Sequence, residues 1–336
     1  MRRILLVLLL VFLTVSVFAQ KHAALAELVN PDSIAVDQNQ VYITQGTSIY
    51  IYDLENFKMK TKFGKRGEGP KEFMENRQTG NPPLTINVQT KNIIVNSLNK
   101  ISFFSKDGKF KNEQKIGPFS DRFIPLGKGF AAQRLITEEG KRYWALDIYD
   151  SNINKVKEVF KIKHHFQGLG KGFKVLQESR LYAAYDDKLF VAWVKEFNIQ
   201  VFDSLGEKLY SINYNYKRVP VTEEDRAKII KYFKTNPRTK ELYEVIKPIH
   251  FPGYYPALGN MRINDGKIYA ITFEKSNGKT KCFIFDLKGK LLKEVFLDLK
   301  TMDIFALYPF TINNGNIYQL VESEDETWEL YITCIK

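Results

Sequence analysis

One design recurs along the chain: an alternating strand, a short polar turn, and a second strand. It is clearest in KCFIFDLKGKLLKEV (281–295), where Cys282 and Ile284 lead into Asp286-Leu287-Lys288-Gly289 and a new strand begins at Leu291. Asp favours the start of such a turn, and Gly supplies the positive φ that it needs. The design returns as IYIYDLENFKMKTKF (49–63), ISFFSKDGKFKNEQKI (101–116), YWALDIYDSNINKVKEVF (143–160) and IQVFDSLGEKLYSINY (199–214), and a sixth copy starts at Trp328. Landmarks at Asp53, Ser105, Asp150, Asp203, Asp286 and Tyr331 stand 52, 45, 53, 83 and 45 residues apart. Each hairpin follows another strand pair, such as SIAVDQNQVYIT (33–44) or MRINDGKIYAIT (261–272). A lone four-stranded sheet cannot bury both faces, but six packed radially can. The spacing therefore predicts an all-β, six-bladed β-propeller occupying residues 20–336 as a single domain, with one helical/loop insertion at 217–257 in the long interval. The sixth unit lacks a fourth strand, so residues 23–29 are expected to supply it and close the ring, against the helical leaning of KHAALAELVN.

Residues 1–19 are read as a signal peptide. Arg2 and Arg3 precede the apolar run Ile4–Leu13, and Val17 and Ala19 suit cleavage before Gln20. The run is too short to cross a bilayer, and no later segment is long and apolar enough. A periplasmic or secreted location follows. Cleavage removes two arginines and no acid, so the net charge falls from +12 to +10. The excess is mostly Lys scattered over hairpins, as expected of a large wetted rim, and no Arg/Lys stripe interleaves with aromatics, which argues against nucleic acid. The two cysteines, Cys282 and Cys334, form no disulfide framework or metal-spaced set. An exporting compartment permits a bridge between them, but matching positions on diverging blades favour two separate buried thiols. His164 and His165 read as a surface pair, and the acidic run Glu322–Glu329 as a solvated turn without the ligand spacing of a calcium loop. No metal or other cofactor is expected.

Two stretches depart from the repeat. In the insertion, Thr222 is a good N-cap with Asp225 three residues on, Ile229, Ile230, Tyr232 and Phe233 form an apolar stripe, and the helix should stop before Asn236-Pro237. The remainder to Tyr255, ending in IHFPGYYP, reads as a long ordered loop. Phe251, Tyr254 and Tyr255 are the candidate contact surface, with Lys234 and Arg238 favouring an acidic partner; the rival role is a lid packed against the propeller. Blade four is expected to begin with a strand at Lys174–Gln177. The second departure is FGKRGEGPKEF (63–73). Its glycines, with Lys65 and Arg66, suit either an anion-holding loop or a structural joint between blades one and two. It lacks the ending of a phosphate-binding P-loop.

This second stretch resembles the G-x-x-G-x-G-P-x-E-F signature of the six-bladed β-propeller proteins exported by Bacteroidetes and related bacteria, through Gly64, Gly67, Gly69, Pro70, Glu72 and Phe73. That family is loosely similar to NHL-repeat and TolB-like propellers. The resemblance implies the architecture and a binding role, as a scaffold for a peptide, protein or cell-envelope component. Some related propellers are metal-dependent hydrolases or lyases whose ligands come singly from several blades, and no such set matches here residue by residue. A structural element of an envelope assembly is the third reading.

Overall fold

The computed structural model describes residues 21–74, 84–116, 122–163, 172–176, 180–237 and 239–336; residues 1–19, the expected signal peptide, and His164 and His165 lie outside them. Within this set stand six antiparallel four-stranded sheets. Blade 1 is Ser33–Val36, Gln40–Gln45, Ser48–Asp53 and Met59–Phe63. Blade 2 is Thr85–Val88, Asn92–Ser97, Lys100–Ser105 and Phe110–Lys115. Blade 3 is Ile124–Leu126, Gly129–Glu138, Lys141–Tyr149 and Lys155–Lys163. Blade 4 is Arg180–Tyr185, Lys188–Trp193, Asn198–Asp203 and Lys208–Asn213. Blade 5 is Asn260–Asn264, Lys267–Ser276, Lys279–Asp286 and Leu291–Leu297. Blade 6 is Phe310–Asn313, Asn316–Glu322 and Trp328–Cys334, completed by Lys21–Ala24.

The recurring turn joins the third and fourth strands of a blade. At Asp53, Asp150, Asp203 and Asp286 one carboxylate oxygen accepts two backbone N–H groups, for example those of Leu205 and Glu207, or of Lys288 and Lys290. In blade 2 the Ser105 hydroxyl accepts from Lys109 N instead. The pairing slips by one residue beside each turn, the mark of a β-bulge. The position that closes the turn has positive φ and is Gly108, Gly206 or Gly289 where space is also short. A Cβ on Gly289 would lie 2.8 Å from Ile212 Cγ1, on the outer strand of the preceding blade.

No single core exists. Six buried clusters fill the six junctions between neighbouring blades. Strand alternation feeds two junctions at once: Ile93 and Val95 face blade 1, while Ile94 faces blade 3. Residues 21–24 pair with the third strand of blade 6, His22 opposite Tyr331 and Ala23 opposite Leu330. The closing strand is thus Lys21–Ala24, not 23–29. Leu25 N makes the last bond, to Trp328 O, and the chain then turns inward, burying Leu25 and Leu28 between blades 6 and 1. The reason is distance. The chain must next cross three strand spacings, about 14 Å, to reach the inner strand at Ser33, and a strand running to residue 29 would leave only residues 30–32 to do so. Trp328 Nε1 donates to Val29 O at 2.9 Å and pins the crossing.

The insertion joins the outer strand of blade 4 to the inner strand of blade 5. Helix α1, Glu223–Thr235, starts at Thr222, whose hydroxyl accepts from Asp225 N while Asp225 accepts from Thr222 N, and ends at Asn236. A second helix, α2, Lys240–Ile246, occupies part of the stretch expected to be loop. It has no side-chain cap, and its half-buried Tyr243 and Ile246 pack with Ile229, Phe233 and Val175, so packing on one side rather than a capping signal accompanies its helical form. The expected first strand of blade 4 is also corrected. Phe173–Lys174 pairs in parallel with Ile249–His250 of the insertion, outside the blade, and the fourth strand is Lys208–Asn213.

Between blades 1 and 2, Lys65–Arg66 pairs with Glu72–Phe73. Phe73 is fully buried in the junction. Glu72 accepts from Gly69 N at 3.0 Å and pairs with Lys65 Nζ at 3.0 Å. From beneath, the 3 %-exposed Lys100 donates to Gly69 O at 2.7 Å and to Glu113 Oε2 at 2.9 Å. Gly67 has φ +152°, and a Cβ there would meet Glu72 Oε2 at 2.2 Å; Gly69 lacks a positive φ. Cys282 is buried and Cys334 exposed, both free, so only the first is the buried thiol expected.

Two predictions follow from these contacts. Deleting residues 20–30 removes the closing rungs and two buried leucines, roughly 5–10 kcal/mol in all at about 1.5–3 per side chain and about 1 per hydrogen bond. That is a large part of a domain's stability, so thermal unfolding is expected to show a markedly lower midpoint; an unchanged one would deny that this strand closes the ring. At the loop, Gly67→Val should cost roughly 1–3 kcal/mol. Lys100→Ala should cost about 3–5, because it strands Glu113 and the loop carbonyls, and Lys65→Ala about 0–1. Denaturant melts of the three variants rank them, and equal midpoints would show the loop to be slack.

Candidate functional site: the connector face and the central channel

Each blade's outer strand leads to the next blade's inner strand, so all blade connectors emerge at one end of the ring, beside the turns between second and third strands. The glycine loop lies there: a Cβ on Gly64 would touch Thr47 O. So does the base of the insertion, where Ala257 N donates to Val194 O at 2.6 Å. The helices bridge neighbouring connectors. Phe233 packs on Phe173 of the connector between blades 3 and 4 and on Phe305 of that between blades 5 and 6, and Tyr232 donates to Asp303 at 3.1 Å.

The residues expected to bind a partner separate by role. Tyr254 is 49 % exposed, with the Arg218 guanidinium 5.1 Å from its ring centre. Tyr255 stacks on Phe273 at 5.0 Å. Its hydroxyl is pushed up to about 12, first by burial and then by the charge of Asp225, to which it is hydrogen-bonded. Phe251 is half-buried beneath Arg226 and belongs to the cluster that holds the insertion down. Lys234 is exposed in the last turn of α1, 5.3 Å from the Tyr243 ring centre. Lys65 is occupied by Glu72, Arg66 is exposed beside it, and Arg238 falls outside the described residues. Lys65 and Arg66 therefore sit a blade or more from the insertion in the ring order, and the structure brings only the insertion residues together. Around them Leu242, Val245, Met302, Ile304 and Phe305 present exposed apolar surface.

The inner strands of the six blades enclose a channel of about 1340 Å³. No described residue of 217–257 lines it, so the described part of the insertion stands on the end face and not in the lumen. Among the described residues three arginines line it: Arg122, Arg180 and Arg262, from blades 3, 4 and 5. Arg180 turns toward the blade wall, 4.5 Å from the Trp193 ring centre. Arg262 lies 4.7 Å from the centre of Phe310 and is pushed down to about 10, first by burial and then by repulsion from Arg122. Reading for loops and aromatics passed over these residues. The available signal was a cation in or beside the first strand of a unit, the strand that must line the lumen. Among the described residues, no three His, Cys, Asp or Glu side chains gather as metal ligands, and no helix is long and apolar enough to cross a membrane.

No protein-family model matches the chain, and no curated protein sequence does. Solved structures are similar in fold. A Bacteroides fragilis protein designated as exported is 12 % identical, with 94 % of this chain and 95 % of that one covered and a TM-score of 0.56. A DUF4221-family member from Bacteroides vulgatus is 12 % identical over 94 % and 96 %, with a TM-score of 0.49. At such identity the first of these speaks for architecture: the chain has an all-β six-bladed propeller fold with a helical insertion between blades 4 and 5.

Proposed function

We propose that the protein is an exported, non-catalytic recognition scaffold for a peptide, protein or cell-envelope component, of the NHL- or TolB-like kind, and that it binds through its connector face. The observation that carries this reading is the exposed aromatic and apolar surface of the insertion. Tyr254 offers a ring and a hydroxyl to solvent while the rest of its segment is anchored. A rigid aromatic on a fixed base gives large contact area at small entropic cost. Lys234, Arg218 and Arg238 flank it in sequence and set a preference for acidic partners. Export rests on the basic, apolar and small-residue pattern of residues 1–19. Lys65 and Arg66 belong to the same face at its far side, with Lys65 available only at the expense of its bond to Glu72.

Tyr254 and Tyr255 divide binding from packing. Tyr255→Ala removes a stacked, hydrogen-bonded ring and should cost about 2–4 kcal/mol of stability. Tyr254→Ala should leave the melting temperature nearly unchanged while reducing retention of an acidic envelope component on the immobilised mature protein. If Tyr254→Ala retains as much as the parent, the proposed surface is not the binding surface.

A further inference from the structure

Two arginines of the channel have no carboxylate partner among the described residues. Arg262 is the third residue of the inner strand of blade 5, and Arg122 stands just ahead of the inner strand of blade 3. Blade 4 lies between these blades, so the two side chains reach into one lumen from separate walls. Neither meets a carboxylate among the described residues. The contacts of Arg262 are a long hydrogen bond to Met261 O at 3.4 Å and the face of Phe310, and Arg122 is exposed to the lumen. The carboxylates that line the channel are placed otherwise. Asp32 shares the connector end, ahead of the inner strand of blade 1, and there accepts from Gly46 N at 2.6 Å; Asp186 and Asp187 lie at the opposite end, in the turn after the inner strand of blade 4, with Asp187 paired to Lys188 at 2.9 Å. Asn260, two residues before Arg262 and hence on the same side of its strand, has a buried amide oxygen with no donor among the described residues. A guanidinium cannot relieve such a position by losing its proton, because it stays charged in proteins. It can do so by meeting an anion.

We propose that the channel, at its connector end, binds a small solute bearing a carboxylate or phosphate oxyanion, with Arg262 and Arg122 gripping the oxyanion and Asn260 accepting from a hydroxyl on the same solute. The planar fork of Arg suits both kinds of oxyanion. At about 1340 Å³ the lumen exceeds the roughly 300–1,000 Å³ of an ordinary ligand pocket, so the solute fills one end and water the rest. At the other mouth Asp186 and Asp187 stand with Lys91 and with Lys188, which pairs with Asp187, so that end offers no comparable pair of cations without carboxylates. The site is independent of the insertion surface, since no described residue of 217–257 lines it.

The test is calorimetric titration of the whole mature chain, at constant ionic strength, with inorganic phosphate and separately with D-glucuronate, a hydroxylated carboxylate. Saturable binding of at least one is expected. Tighter binding of glucuronate would mark a sugar acid, and tighter binding of phosphate a free or esterified phosphate. Arg122→Gln and Arg262→Gln should each weaken the binding by at least tenfold, Arg262→Lys by less, and Lys91→Gln, at the other end, not at all. Arg122→Gln lies at an exposed position and keeps the test open should a change at Arg262 disturb folding. Melting curves add a second readout: the anion should raise the midpoint of the parent and leave that of Arg122→Gln unmoved. Absence of saturable binding by both probes, or equal affinity in the parent and the Arg122 variant, would overturn the proposal.

Discussion

Burial of each sheet against its two neighbours is the interaction on which everything else depends. The six junction clusters share no common centre, so a blade stripped of one neighbour loses half its apolar contacts at once. This explains why the conspicuous local devices sit at junctions. The turn glycine of blade 5 is pressed against Ile212 of blade 4, and Phe73 is driven into the seam between blades 1 and 2 by a loop clasped from below by Lys100. Burying an ammonium group is costly unless it is paired and hydrogen-bonded, and here it has both a carboxylate and loop carbonyls. The loop is first a joint, and any chemistry at Lys65 or Arg66 must be compatible with that work.

Radial packing also decides what the two ends and the lumen can do. Inner strands give their outward alternation to the junctions and leave backbone and a few long side chains facing the channel. A large side chain there is conspicuous, and a charged one more so. The connector end is free to vary because its segments only need to reach the next blade. Blade 4 uses that freedom for two helices and a parallel strand pair that ties two connectors together.

Much of this was legible in the chain because the signals are local. Asp at 53, 150, 203 and 286 marks turns whose backbone N–H groups it then satisfies, and Thr222 with Asp225 announces α1 by the same chemistry that caps it. What was not legible depends on neighbours distant in sequence. Helix α2 has no side-chain cap, and its Tyr243 and Ile246 pack with α1 and Val175. Lys174 pairs with His250 across the insertion instead of opening a blade. The closing strand ends at Ala24 because of a distance to be crossed, which no periodicity records. Arg122 and Arg262 are unremarkable as residues, and their meaning comes only from two blades that share a lumen.

The ring closure also has a timetable. Val29 and Trp328, joined by one hydrogen bond, are separated by 299 residues. A chain synthesised at about 5–20 residues per second offers its first closing residues roughly 15–60 s before their partner exists. Throughout that interval residues 21–24 have no strand to join, and blade 1 has no sixth neighbour for Val41 and Tyr52, which later share a cluster with Leu320 and Leu330. A chain that folded as it emerged would be an open arc with one bare apolar flank until the final strand arrived.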